Sequence, residues 1–214
     1  MDNKPFIDLY CERTLDGLFA EPLNLFSNLM FFIVFFALRR RWQANAQILL
    51  YLILAIAIGS TLFHAFARVW ALVLDVGSIA LFMVVYFIAY LDQVLGWSKM
   101  RTAVFTTIFI VLTTVLRLVH IDGLNYSEFY LSPLVVITLF MWHQQRAKLT
   151  GARDLQLALI SFGSALFFRI ADAHICEYFP AGTHFLWHVC NGLCLYFAMT
   201  AYLKSRITQL ESQS

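Results

Sequence analysis

The sequence predicts an all-α integral membrane protein, a seven-transmembrane-helix bundle in which residues 1–214 form one domain. The first observation is composition: 61% of the residues are hydrophobic, 13% are charged and the mean hydropathy is +0.73, which is too apolar for an ordinary soluble domain. The second is a series of seven apolar stretches. The third is the distribution of Lys and Arg between the predicted loops. With a net charge of +2 and no basic stretch interleaved with aromatic residues, we expect no nucleic-acid partner.

The seven predicted helices each approach the roughly 20 apolar residues that cross a bilayer. They lie near residues 22–38, 46–67, 69–91, 102–119, 129–146, 155–171 and 184–203. Only the region around Arg68 separates the second from the third. Residues 1–21 are polar and acidic and lack the features of a secretory signal, so we expect insertion to rely on the first spanning helix.

Basic residues follow the odd-numbered predicted helices, whereas acidic residues gather on the opposite side. The basic positions are Arg39, Arg40, Arg41, Lys99, Arg101, Arg146, Lys148, Arg153, Lys204 and Arg206. The acidic ones are Asp2, Asp8, Glu12, Asp16, Glu21, Asp122, Glu128, Asp172 and Glu177. The positive-inside rule then predicts a cytoplasmic tail at 204–214 and an outer N-terminal segment at 1–21, in a periplasm or organelle lumen. The compact chain favours a bacterial inner membrane over an organelle membrane.

Five polar residues lie at similar depth near the outer face in this topology. Ser60 and His64 end the second helix, Asp75 lies about two turns (~9 Å) into the third, and His184 and His188 begin the seventh. The members of each pair are four residues apart, so they share one helix face. We therefore expect the five side chains to lie close together.

This set of residue types suits a catalytic zinc site. Three imidazoles fill three corners of a tetrahedron around Zn²⁺ and leave the fourth for water, which the metal activates near neutral pH. Asp75 is the predicted proton acceptor and donor, and Ser60 is predicted to hydrogen-bond either the developing oxyanion or the metal-bound water. Plainer explanations stand beside these: an interhelical hydrogen bond for His64, a helix-start feature near the headgroups for the pair His184 and His188, and close packing next to Gly59 for Ser60. Asn191 shares the histidine face as a partner that orients an imidazole, or as an interhelical hydrogen bond.

Four motifs, spread from the start of the chain to the last helix, carry a family resemblance. They are 11-CE-12 with 20-AEPLNLFSN-28, 59-GSTLFH-64 with Asp75 eleven residues on, 172-DAHIC-176, and 184-HFLWH-188. In this order they resemble the alkaline ceramidases, within a broader group of seven-helix membrane hydrolases and receptors that includes the adiponectin and progestin receptors.

The resemblance implies an enzyme of sphingolipid metabolism, a hydrolase of linear amide C–N bonds. It implies that His64, His184 and His188 bind zinc, that Ser60 and Asp75 assist, and that ceramide or a related N-acyl lipid is cleaved to a sphingoid base and a fatty acid. It also implies a disulfide between Cys11 and Cys176. The expected partner is a membrane lipid substrate, with no obligatory protein partner.

The resemblance further implies a calcium ion on N-terminal carboxylates, here Asp8, Glu12 and Glu21. The sequence departs from the family pattern in three ways. The spacing from Cys11 to Glu21 is shorter by about two residues, Asp8 is displaced relative to Cys11, and Thr14 stands where the family tends to have Asn. The alternative is that these acids form a solvated outer face.

Two other functions remain open at this point. One is a seven-helix receptor or regulatory protein with a structural zinc site, although the short tails leave little room for a docking domain. The other is a haem or metal carrier, in which Ser60 and Asp75 would have no role.

Overall fold

The structure, a computed structural model, describes residues 6–41 and 46–213. Asp2, with the rest of residues 1–5, and Ser214 at the end of the predicted tail lie outside the described residues. The described chain is helical, which confirms the predicted all-α class. Its α-helices are α1 Pro22–Ser27, α2 Leu29–Leu38, α3 Gln47–Phe66, α4 Val69–Gln93, α5 Lys99–Leu118, α6 Leu131–Arg146, α7 Ala152–Ile175 and α8 His184–Gln213. Short 3-10 turns cover Arg39–Arg41 and Glu128–Tyr130.

The predicted first span is interrupted at Asn28, where α1 ends and α2 begins. The Asn28 side chain donates to the carbonyl oxygen of Asn24 over 2.9 Å, and its own carbonyl accepts from Phe31 in a tighter turn. A side chain that competes for backbone groups in this way favours a helix end. The break sets Ser27 and Asn24 beside the candidate site described below.

The last helix is longer than predicted. The helix predicted over 184–203 continues through Gln213 as α8, so the described part of the predicted tail is helical. Neither Gly nor Pro occurs after Gly192, so nothing in this polar stretch stops a helix once the apolar part has formed it.

Four described helices are long and apolar enough to cross a membrane: α3, α4, α5 and α7. The pair α1 and α2 forms a shorter apolar stretch over Pro22–Leu38. Large apolar side chains such as Val73, Leu112 and Val135 are more than half exposed. Such exposure is expected of a surface that lipid covers. The chain is thus a membrane protein of helical class, and the count of seven spans stays a prediction.

The described residues pack as two compact units, Met1–Phe82 with Ala165–Gly192, and Met83–Ser164 with Leu193–Ser214. In the second unit, Tyr90 stacks on Phe140 with ring centroids 3.7 Å apart, and the buried Gln144 donates to Ser205. All of the predicted site residues lie in the first unit.

Within the first unit, α3 and α4 pack closely and are joined by a sharp turn. Ala67 adopts a left-handed conformation (φ 46°) directly after α3, and Ile7 donates to its carbonyl oxygen over 2.8 Å. At Gly59 an added Cβ would lie 2.8 Å from the Leu74 carbonyl oxygen, so only glycine permits this approach. The approach places Ser60, the next residue of α3, opposite Asp75, the next residue of α4.

Candidate metal centre

Three buried histidines from two helices converge in the first unit. His64 lies near the end of α3, and His184 and His188 lie in the first two turns of α8; each is at most 1% exposed. One ring nitrogen from each lies within 4.8 Å of the others. The Nε2 atoms of His64 and His188 are 3.1 Å apart. The structure therefore brings together the three imidazoles singled out in the sequence.

Hydrogen bonds fix which nitrogen of His64 and His188 carries the proton. His64 Nδ1 lies 2.6 Å from Glu21 Oε2, and an ionised carboxylate only accepts, so Nδ1 is the donor. His188 Nδ1 lies 2.7 Å from Ser27 Oγ. The Ser27 hydroxyl already donates to the Asn24 carbonyl oxygen, so it accepts from His188. In the neutral rings, both Nε2 atoms then carry a lone pair.

These residues fit a bound cation. Two lone pairs that face each other at 3.1 Å repel unless a positive charge lies between them. Ligands of a tetrahedral zinc site, each about 2.0–2.1 Å from the metal, lie about 3.3 Å apart. His184 Nδ1 is buried and has no hydrogen-bond partner within the described chain. Buried neutral imidazoles are ligands that zinc prefers.

Glu21, at the N-terminal end of α1, keeps the proton of the His64 ring on Nδ1. It accepts from Arg13 at Oε1, and from His64 and Asn24 at Oε2. Burial acts to raise the pKa of Glu21, but the hydrogen bonds from His64, Arg13 and Asn24 outweigh it and the pKa is lowered. An ionised carboxylate on the outer nitrogen orients a metal-binding imidazole and raises its basicity.

Asp75 and Ser60 lie beside the histidines. The Ser60 hydroxyl donates to the Asp75 carboxylate, and Asp75 lies close enough to His64 to interact with it electrostatically. Its Oδ1 atom is buried and accepts no hydrogen bond from the described residues. A buried carboxylate oxygen without a partner is rare and costly in a protein, so this oxygen is free to accept from a bound molecule.

Sequence reasoning missed an aromatic and cationic layer around His184. The Tyr10 ring stacks on the His184 ring with centroids 3.5 Å apart, and Arg169 on α7 donates to the Tyr10 hydroxyl over 2.7 Å. The Arg169 guanidinium also lies over the Trp187 ring. A cation inside an apolar helix was a detectable signal for Arg169. Tyr10 carried no such signal, because it lies in an N-terminal segment without helical periodicity.

A disulfide joins Cys11 to Cys176, as the resemblance implied, with the two Cα atoms 5.0 Å apart. Beside it, the buried Asp172 accepts from the backbone N–H groups of Cys11, Thr183 and His184. Asp172 therefore caps the start of α8 and ties it to the N-terminal segment. It belongs to one of the quoted motifs, but its capping role was not predicted.

The remaining predicted residues are Glu12, Asp8 and Asn191, which lie elsewhere in the first unit. Glu12 caps α1, since its two carboxylate oxygens accept from the backbone N–H groups of Leu23 and Asn24. Asp8 is exposed. Asn191 is buried on α8, where among the described residues no hydrogen bond joins it to any of the three histidines.

The chain matches a known protein family. The model of the family described as Ceramidase matches residues 9–214, nearly the whole chain. No curated protein shows a significant match.

Proposed function

Because the chain belongs to the ceramidase family, we propose that it is a zinc-dependent intramembrane amidase that hydrolyses ceramide, or a related N-acyl lipid, to a sphingoid base and a fatty acid. The observation that carries this proposal is the convergence of three buried imidazoles beside a buried carboxylate. A receptor with structural zinc needs the imidazoles, but it has no use for a buried carboxylate oxygen that accepts no hydrogen bond from any described residue.

His64, His184 and His188 would hold the zinc. When bound there, the ion supplies a Lewis acid that polarises an amide carbonyl and makes water nucleophilic near neutral pH. Glu21 and Ser27 keep the outer nitrogens of His64 and His188 occupied, so the inner nitrogens stay available as ligands.

Asp75 moves the proton of the reaction. Its unpartnered Oδ1 accepts a proton from the attacking water and passes it to the amide nitrogen as the C–N bond breaks. The sphingoid base then leaves as a neutral amine and the fatty acid as a neutral carboxylic acid. Outside the site the acid gives its proton to the amine, so the final products are a carboxylate and an ammonium ion. Ser60, one residue after the tight contact at Gly59, turns its hydroxyl proton from Asp75 to the substrate oxygen while that oxygen gains negative charge.

The substrate reaches this site from the bilayer. The histidines lie at the end of α3 and the start of α8, and we place these helix ends at the level of a ceramide amide, just below the headgroups. We infer that residues 1–214 act as one membrane domain, with this end facing the periplasm or lumen and the C-terminus in the cytoplasm. A bacterial inner membrane is the proposed location.

Purified protein in lipid nanodiscs is expected to release fatty acid and sphingoid base from ceramide in equal amounts, measured by mass spectrometry. Ser60→Ala should lower turnover by roughly 10²-fold, the usual effect of losing one donor to an oxyanion. The matched control is Thr61→Ala, because the Thr61 hydroxyl donates to the Ala57 carbonyl oxygen within its own helix. That control should keep wild-type turnover.

The enzyme proposal fails if the wild-type protein releases no fatty acid from ceramide or from other N-acyl lipids. Zinc retained in such an inactive sample would favour the receptor with a structural zinc site.

A further inference from the structure

Arg13 is the most deeply buried cation among the described residues of the first unit, with 2% of its surface exposed. Its guanidinium donates to the Glu21 carboxylate and, over 2.7 Å, to the carbonyl oxygen of His64. Two longer contacts reach the carbonyl oxygens of Leu15 (3.3 Å) and Gly17 (3.5 Å). One carboxylate and three carbonyl oxygens thus surround a single positive charge.

This cation also lies at the C-terminal end of α3. The last carbonyl groups of a helix lack partners within it and carry partial negative charge. Arg13 satisfies the carbonyl of His64, in the final turn of α3. Arg13 is therefore linked to His64 in two ways. It contacts the backbone directly, and it contacts Glu21, which in turn accepts from Nδ1 of the imidazole. Both contacts fix the position of the imidazole.

A calcium ion on Glu12 and Glu21, as the family resemblance implies, does not fit this arrangement. Calcium binds six to eight oxygen atoms, with carboxylates as the main ligands. Both oxygens of Glu21 already accept from Arg13, His64 and Asn24, and both oxygens of Glu12 accept from the start of α1. The carboxylate and carbonyl oxygens that surround the guanidinium are of the types that bind calcium, but the positive charge of Arg13 already compensates their negative charge.

We propose that Arg13 is a built-in cation that replaces calcium in this chain and positions His64. The protein then needs no calcium. The positive charge that orders the N-terminal segment belongs to a side chain of that segment. The proposed role of Arg13 in positioning His64 rests on the proposed zinc site. The calcium claim stands on the hydrogen bonds alone.

Isothermal titration of the wild-type protein with calcium chloride, up to millimolar concentration, tests the first part. Protein calcium sites have dissociation constants of about 10⁻⁹ to 10⁻³ M, so the titration covers their range. We expect no saturable heat and no change in the thermal unfolding midpoint. Saturable binding that also raises the midpoint would overturn the proposal.

Arg13 variants test the second part, with zinc affinity measured by competition with a chelating dye. Arg13→Ala should weaken zinc binding by about tenfold or more, the usual effect of losing a group that orients a metal ligand. It should also lower the unfolding midpoint by roughly 10 °C, because Glu21 is left as an uncompensated buried charge. The zinc affinity and the unfolding midpoint of Arg13→Lys should lie between those of the wild-type protein and Arg13→Ala. A lysine keeps the charge but lacks the forked guanidinium that reaches both Glu21 and His64.

The matched control is Arg68→Ala, which removes an exposed ion pair with Asp16 next to the same segment. Exposed pairs contribute little, so zinc affinity and midpoint should stay at wild-type values. Arg13→Ala with unchanged zinc affinity, or Arg13→Lys no better than Arg13→Ala, would contradict a cation that positions His64. These readouts do not use ceramide, so their failure is distinct from failure of the proposed amidase activity.

Discussion

Replacing His188 by alanine is expected to remove both the bound zinc and the hydrolysis of ceramide. The imidazole Nε2 of His188 lies 3.1 Å from that of His64, so it supplies one of three converging nitrogens. A site left with two imidazoles lacks the ligand set that catalytic zinc requires. Because the metal contributes several kcal/mol of transition-state stabilisation, turnover should fall by on the order of 10³-fold or more. Plasma mass spectrometry gives the zinc content of the same sample.

Cys190→Ala is the control for this variant, since it changes a free thiol two residues along the same helix. It should keep wild-type zinc and turnover. His64→Ala and His184→Ala should behave like His188→Ala. Full zinc content and activity in His188→Ala would show that this histidine is not a ligand.

Asp75→Asn is expected to keep zinc and lose activity. Asparagine has nearly the same size and shape as aspartate, but its neutral amide cannot accept a proton from water. The loss of a general acid and base usually lowers turnover by about 10²- to 10⁴-fold. Zinc content should not change, because Asp75 is not one of the three converging ligands. The measurement is initial ceramide turnover together with zinc content.

The matched control is Asp92→Asn, the same chemical change on the same helix, at an exposed ion pair with Lys99. Its turnover should equal that of the wild-type protein. Wild-type turnover in Asp75→Asn would refute the proposed role, whereas loss of zinc from that variant would make Asp75 part of the metal site.

The sequence predicted the helical parts of the site because helical spacing determines which side chains share a face. His184 and His188 are four apart on one helix, and Ser60 and His64 are four apart on another, so their pairing required only the helix period. The Cys11–Cys176 bridge was implied by family resemblance and is confirmed.

The N-terminal part of the site could not be predicted in the same way. Arg13 contacts Glu21 eight residues away and the His64 carbonyl 51 residues away, through a segment with no regular secondary structure. No periodic pattern determines such contacts. Ser27 reaches His188 only because the first span breaks at Asn28, and an unbroken helix was expected there. The helical residues of the site thus follow from the sequence pattern, whereas the N-terminal residues that orient them follow from tertiary packing.

X-ray absorption at the zinc edge of the purified protein tests the central claim most directly, because it counts the ligands around the metal. We expect three imidazole nitrogens at about 2.0–2.1 Å and one oxygen in the remaining position. Replacing His64 should then reduce the nitrogen shell or abolish zinc binding. A zinc-loaded protein whose spectrum shows no imidazole shell, or the same shell without His64, would contradict the central claim.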